Sequence, residues 1–357
     1  MHSYFIGIMC GTSLDSLDVS LCHFGNSDNV KIFKSYKIRD ELRNIINKSK
    51  KNPGNKKLVN QVDHEVTEFI ILTLNKFMRN HNKKISAIGY PGITLKHDPN
   101  KQVSKTLGDC QKISKALKIP VVGDFRKTDM DLGGQGAPLA PYFHDYLSPN
   151  KDNFINILNL GGFANFTYMS ENKLRAFDTG PANYLIDELM KKLFNKPFDK
   201  SGKMAKEGKE NNDAILKLLS HKYFDLPPPK STGFETFNLA WFQKALKIFN
   251  IKNKKNLITI ATKLSIITIS DAINKCQLDS KNIFFSGGGS RNLFMKKEIL
   301  SRTGLSEIKK LPMGVDYKNM ESVSFAWLAK MRINRKLIKN IQVTGTKKAR
   351  YLGIIFR

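Results

Sequence analysis

The stretch IGIMCGTSLDSLDVSL, residues 6–21, sets two apolar runs on either side of a turn built from Gly11, Thr12 and Ser13, with Asp15 and Asp18 close behind. Tyr4 to Met9 reads as a buried strand and Val19 to Phe24 as its hairpin partner. A sharp turn of small residues exposes backbone N–H groups, and the hydroxyls of Thr12 and Ser13 add donors, so the concavity suits a phosphate. Carboxylates beside a phosphate normally mean a divalent cation. The same residues would also serve as an ordinary polar hairpin turn, so other stretches have to decide.

Working outward, FINILNLGGFANFTYM (154–169) again reads as strand, tight turn, strand, and RAFDTGPANYLIDELMKKLF (175–194) as strand, turn, helix. The likeness between residues 4–24 and 154–169 suggests two related halves. LVNQVDHEVTEFIILTLNKFM (58–78) carries apolar residues at helical spacing. SAIGYPGITLKHDP (86–99) gives a short strand, Ala87 to Gly89, and a Gly/Pro loop, and PVVGDFRKTDMDLGGQGAP (120–138) a strand ending in a glycine-rich loop. Strand ends that break into polar glycine loops are where α/β proteins bind ligands. Further on come a Pro-rich linker, LPPPKSTG (226–233), an amphipathic helix across 257–276, the strand and turn NIFFSGGGSRN (282–292), and a helix in MESVSFAWLAKMR (320–332).

With 357 residues, 41% of them hydrophobic, the chain is long enough for two packed cores, and two domains with a cleft is the default. The apolar start FIGIMC is short, has no basic flank and does not read as a signal peptide; the longest apolar run, 257–273, is interrupted by Lys263. Cys10, Cys22, Cys110 and Cys276 form no CxxC pair and no disulfide-like spacing, so the expectation is a reduced, cytoplasmic protein without a membrane partner. The net charge is +28, but only 11 of the 59 basic residues are arginine and the lysines are dispersed, which predicts solvated faces rather than a nucleic-acid footprint.

Three glycine turns, at 11–13, 161–162 and 287–289, each follow an apolar strand. Glycine allows close approach to a phosphate or an adenosine ring, although a tight turn alone also asks for it. No GxxxxGK[ST] or GxGxxG is present, which excludes a P-loop enzyme and a dinucleotide fold. Asp178 in AFDTGPAN is either the N-cap of a helix starting near Ala182 or a general base for phosphoryl transfer. Asp124, Arg126, Asp129 and Gln135 place carboxylate, guanidinium and amide groups in one loop, which is either solvated or built for a hydroxyl-rich or carboxylate-bearing ligand. His23, His64, His81 and His221 have no second metal-type residue at usable spacing, while His144, Trp241 and Trp327 read as core. The absence of GxSxG argues against a serine hydrolase of that type.

Together these motifs resemble the anhydro-N-acetylmuramic acid kinases of the sugar kinase, Hsp70 and actin superfamily. The matching stretches, in family order, are GIMCGTSLDSLDVSL (7–21), GDFRKTDMDLGGQGAPLAPYFH (123–144), LNLGGFANFT (158–167), FDTGPANYLID (177–187), PKSTGFETFNL (229–239), SGGGSRN (286–292) and MESVSFAWLA (320–329). The resemblance implies an α/β, two-domain actin-like and ribonuclease H-like ATPase fold with an interdomain ATP cleft. Domain I would comprise 1–130 plus 337–357 and domain II 131–336. It implies ATP and Mg2+ as cofactors, an amino sugar as substrate, and an association of two copies.

It also implies roles. Gly11, Thr12, Ser13, Leu14, Asp15, Ser16, Leu17 and Asp18 would form the first phosphate loop, with Asp15 and Asp18 at the metal. Gly161, Gly162 and Asn165 would form the second loop and Gly287, Gly288 and Gly289 the adenosine turn. Asp124, Arg126, Gln135 and Gly136 would face the sugar. Asp178 would activate water at the anomeric carbon, with Glu321 supporting that water or the metal. Where the family has Gly-Ser-His-Gly-Gln-Thr this chain has Gly89, Tyr90, Pro91, Gly92, Ile93 and Thr94; Ser16 replaces a glycine and Phe234 an arginine. The changes at Pro91 and Ile93 keep open a kinase of a different sugar; a non-catalytic actin-like nucleotide-binding protein is the other alternative, and Asp178 and Glu321 argue against it.

Overall fold

A computed structural model describes residues 4–11, 13–25, 28–81, 83–148 and 153–357. Its strands run in chain order as β1 (Tyr4–Cys10), β2 (Ser16–His23), β3 (Asn29–Lys37), β4 (Ile85–Gly89), β5 (Ile93–Asp98), β6 (Val103–Leu107), β7 (Val121–Gly123), β8 (Asn156–Leu160), β9 (Phe163–Ser170), β10 (Lys173–Pro181), β11 (Asn282–Ser286), β12 (Ser306–Glu307) and β13 (Ile354–Phe356). Two compact units result: Met1–Phe143 with Pro312–Arg357, and His144–Leu311.

The first unit is built on a sheet ordered β13, β7, β4, β1, β2, β3, and the second on a sheet ordered β10, β9, β8, β11, β12. In the first, β3, β2 and β1 are antiparallel neighbours and β4 joins β1 in parallel. In the second, β10, β9 and β8 are antiparallel neighbours and β11 joins β8 in parallel. The internal likeness read from residues 4–24 and 154–169 is therefore a repeat of one strand order. Parallel neighbours require a crossover, and between β3 and β4 it is made by helices Asp40–Lys51 and Lys56–Arg79. The second of these buries Val62, Val66, Ile70 and Leu74, one stripe at four-residue spacing, and Asn55 caps it by accepting from Leu58 N at 3.1 Å.

The opening hairpin differs from its sequence reading. The partner strand starts at Ser16 rather than Val19, because Leu17 and Val19 both point into the core and Leu17 pairs with Cys10. Ser16, Leu17 and Asp18 are thus strand residues, and the segment linking the two strands ends at Asp15.

The division into units also falls elsewhere than at 130 and 336. Helix Met320–Ile333 belongs to the first unit because it lies directly on β1 and β4. A Cβ added at Gly7 would overlap the Ser322 carbonyl and one at Gly89 the Phe325 carbonyl, so backbone meets backbone there. Ser20 Oγ and Ser322 Oγ share a hydrogen bond of 2.7 Å in the same contact.

In the second unit, helix Lys254–Asn274 spans the stretch expected to be amphipathic, yet Ile258 through Ile266 are all buried without a break. It is packed by helices Asn183–Phe194, Lys203–Glu207, Asn212–Leu219 and Leu293–Thr303 and by β10. Among the described residues it is the helix long and apolar enough to cross a membrane, and here it is the spine of a core.

Candidate active site

Cross-strand partners place their side chains on one face of a sheet. In the second unit Asp178 on β10 pairs with Asn165 on β9, Asn165 with Asn159 on β8, and Asn159 with Ser286 on β11. The register therefore lays a polar row, Asp178, Asn165, Asn159, Ser286, across four strands. Asp178, Asn165 and Asn159 are half-buried. Asn159 and Ser286 escaped the sequence reading, since neither carries a signal until the pairing is known.

Asp178 is not a helix cap. Its strand continues to Pro181, and the following helix, Asn183–Phe194, has Ala182 at its N-cap. Instead the PKSTG segment holds it: Thr232 N donates to Asp178 Oδ2 at 3.0 Å and Asp178 N to the Lys230 carbonyl at 3.0 Å. The Tyr223 hydroxyl donates to the Asp178 carbonyl at 2.6 Å. Burial pushes the carboxyl up to about 6; the Thr232 N–H opposes this and the Glu235 carboxylate adds to it. A carboxylate with one oxygen fixed and a pKa near neutrality is suited to taking a proton.

The glycine turns flank this row. The Gly161 and Gly162 carbonyls accept from Ala182 N, Asn183 N and Tyr184 N at 2.9–3.1 Å, so the start of the Asn183–Phe194 helix is satisfied by the turn. Asn183 Nδ2 closes the same contact on the Leu160 and Gly161 carbonyls at 2.9 and 2.7 Å. Gly287 has φ 76°, and an added Cβ there would run into Asn159 and Leu160. Gly289 is walled by Asn183 and Leu160, whereas Gly288 has nothing within 4 Å of an added Cβ. The two turns are therefore adjacent, and Gly288 opens outward.

In the first unit, between β1 and β2, Leu14 N donates to the Gly11 carbonyl at 3.0 Å. Thr12 lies outside the described residues. Leu14 takes φ 57° and buries its side chain fully, as does Leu17, so neither side chain can meet a nucleotide. Ser16, which stands for a glycine, opens β2 and carries no positive φ; that strain falls on Leu14. Ser13 is exposed, and apart from its chain neighbours the nearest atom to a Cβ added at Gly11 is Ser13 Oγ at 3.9 Å, which leaves room beside Gly11.

The two aspartates part company. Asp15 is exposed and pairs with Arg43 Nη1 at 3.2 Å. Asp18 accepts from Ser16 Oγ at 3.0 Å and from Ser35 Oγ. Glu321, in the first turn of helix Met320–Ile333, has its carboxyl raised by burial and then by the Asp18 charge, with the Arg126 guanidinium opposing. The carboxylates that sense one another are Asp18 and Glu321. Among the described residues no group of three or more His, Cys, Asp or Glu could hold a metal ion. One or two carboxylates suffice for Mg2+ where phosphates and waters complete its octahedron.

Arg126 sits in helix Phe125–Met130 with its charge penalised by burial and favoured by Glu321. Asp124 precedes it at φ 49°, its carboxyl raised by burial against the Lys127 charge. Gln135 presents an exposed side chain, and Gly136 is buried. Asp129 is fully buried and bonded to protein groups on both oxygens, so of the four polar groups read in that loop it is not a ligand-facing one.

His97, on β5, was not singled out in the sequence. Burial and the Arg126 charge push its pKa down to about 4 against the Gln135 backbone, and its buried Nδ1 has no hydrogen-bond partner. The only signal for it was its place at the end of the Gly/Pro loop.

His144 is the core histidine expected: 3% exposed, Nδ1 3.0 Å from Thr167 Oγ1, and pushed by burial down to about 3. A folded pKa below the ordinary value means the unfolded chain binds the proton first as pH falls. Stability is then lost below about pH 6.5, at up to roughly 1.4 kcal/mol per pH unit. His144→Gln should lose less stability than wild type between pH 6.5 and 4, as urea unfolding at several pH values would show; parallel curves would refute the assignment.

The sequence model of the anhydro-N-acetylmuramic acid kinase family matches residues 3–357. The chain belongs to this family. A kinase of that name from Sulfurimonas denitrificans is 34% identical over 370 residues, covering 100% of both chains. One from Shewanella putrefaciens is 35% identical, covering 99% of this chain and 98% of the relative, and one from Coxiella burnetii is 36% identical, covering 99% and 97%.

For this member of the family, the departures at 90–93 turn out to be core residues. Tyr90 is fully buried and its hydroxyl donates to the Leu107 carbonyl at 2.7 Å; Pro91 and Ile93 are buried as well. The side chains at 90, 91 and 93 are therefore taken up in packing. Phe234, in place of an arginine, is 67% exposed.

Proposed function

We propose that this chain uses ATP and water to convert 1,6-anhydro-N-acetylmuramic acid into N-acetylmuramic acid 6-phosphate and ADP, in the reuse of cell-wall fragments in the cytoplasm. The observation that carries the reading is Asp178, a clamped, half-buried carboxylate with its pKa raised to about 6, in a member of this kinase family. Asp178 takes a proton from water as the water oxygen bonds to the anomeric carbon. The bond from that carbon to O6 breaks, and the freed O6 bonds to the γ-phosphorus as ADP leaves. Opening the bicyclic acetal thus unmasks the acceptor oxygen, and both steps gain from holding the reactants in place.

ATP supplies the phosphoryl group, and Mg2+ offsets its charge. The chain's residues fit both: Gly11 and Gly288 are open to close approach, and Asp18 and Glu321 are neighbouring carboxylates. Asn165 and Asn159 orient groups beside Asp178, while Arg126, Gln135 and His97 meet the sugar's polar groups. The four cysteines are free thiols, in keeping with a reducing compartment.

The test is ADP release measured with and without the anhydro sugar, with phosphorus NMR of the product. Sugar-dependent ADP formation with a sugar 6-phosphate is expected. Nucleotide binding without sugar-dependent turnover would favour the non-catalytic reading, and turnover confined to another sugar would move the substrate.

A further inference from the structure

We propose that the buried Asp129–Arg350 pair is a positioning device for the loop carrying Gln135 and Gly136, and that Asp129 Oδ2 is the atom that sets it. The inference rests on the sugar-facing reading of that loop given above. Asp129 is 0% and Arg350 2% exposed, and they stand 221 residues apart in sequence. Asp129 Oδ2 accepts from Gly136 N at 2.7 Å, while Oδ1 accepts from Thr344 Oγ1 at 2.8 Å and from Arg350 Nη2.

The loop is tied down at each step. Gly134 N donates to the Asp129 carbonyl at 3.0 Å, Gln135 N to the Thr344 carbonyl at 2.8 Å, and Lys347 N to the Leu132 carbonyl at 3.2 Å. A Cβ at position 134 would overlap Asp129 Oδ2. Arg350 Nη2 also reaches the Tyr142 hydroxyl and Thr344 Oγ1, but its Nε and Nη1 are buried without partners.

A buried ion pair is weak evidence for stability, and one with unsatisfied nitrogens weaker still. What this pair delivers is geometry. The Gln135 backbone hydrogen-bonds with the His97 ring, and the Arg126 charge acts on that same ring. A loop released at Gly136 therefore moves the polar groups assigned to the sugar and leaves Gly11 and Ser13 untouched.

Two double variants separate positioning from stability, because both remove both charges. Asp129→Asn with Arg350→Met keeps an acceptor oxygen for Gly136 N–H; Asp129→Leu with Arg350→Met does not. The sugar KM should rise at most about 3-fold in the first and about 10-fold or more in the second, with kcat and the ATP KM within about 3-fold in both. Amide exchange across 131–136 should accelerate in the second alone. Equal sugar KM values in the two, or equal exchange, would overturn the proposal.

If either double variant does not fold, Thr344→Val decides, since it removes one donor to the Asp129 carboxylate at nearly constant shape. A sugar KM raised about 3-fold with the ATP KM unchanged supports positioning, and an unchanged sugar KM overturns it. Wild-type turnover of the anhydro sugar is the control. Its absence refutes the sugar reading, whereas the exchange comparison still tests the loop.

Discussion

Asp178→Asn should lose turnover by roughly 10²–10⁴-fold, the usual share of a general base, and should be at least as stable as wild type at pH 8. The two halves of this expectation have separate causes. Asparagine keeps an oxygen for the Thr232 N–H and fills the same space, so the clamp made by Lys230, Thr232 and Tyr223 persists. It has no basicity, so the proton of the attacking water has nowhere to go.

The stability half follows from the sign of the shift. The folded pKa of Asp178, about 6, lies above the ordinary carboxylate value, so the folded state favours the protonated form. That contribution is fully present below the unfolded pKa and is lost as pH rises through about 6. At pH 8 the wild type holds a penalised anion that the asparagine variant lacks. The same shift predicts that wild-type kcat/KM falls away below about pH 6, where the base is neutral. A variant with near-normal turnover of the anhydro sugar would remove Asp178 from the chemistry, and one clearly less stable at pH 8 would show that its charge is structural.

Much of this was legible in the sequence because it is local. The 6–21 and 154–169 stretches announce strand, turn, strand by composition, and the two sheets share one strand order. Asp178 stood out between glycine turns, and strand continuation to Pro181 then removed its capping alternative. What was not legible is pairwise and distant. Asn159 and Ser286 join the polar row only through register with Asn165 and Asp178. Asp129 looked like a ligand group until Arg350 and Thr344 were seen to use it. Helix Lys254–Asn274 reads as amphipathic from its lysines, serines and threonines, yet small hydroxyls are easily buried: Thr259 and Ser265 return theirs to the carbonyls of Lys255 and Ala261. The Asp15–Arg43 pair, 28 residues apart, was hidden in the same way.

The least legible feature has the largest expected effect on stability. Gly7 sits in an apolar strand, where sequence patterning treats it as a weak spot, not as a requirement. In the structure its missing side chain is the seat of helix Met320–Ile333. An added Cβ would overlap the Ser322 carbonyl and crowd Ala326 N, both of them backbone atoms that cannot rotate away. Gly7→Ala must therefore lift the helix off β1 or unfold the contact, at a cost of at least about 3 kcal/mol. For a unit of this size that lowers Tm by roughly 6–12 °C.

The displacement also has a catalytic direction, because Glu321 precedes Ser322 and its carboxyl feels the Asp18 charge. The folded fraction of Gly7→Ala should lose kcat as well as stability. Gly54→Ala is the control, since nothing lies within 4 Å of a Cβ there and its effect should stay within about 1 kcal/mol. Thermal melts and single-turnover rates of the two variants decide the matter. If Gly7→Ala melts with the control, the helix does not rest on β1 through backbone contact, and the placement of Glu321 beside Asp18 loses its support.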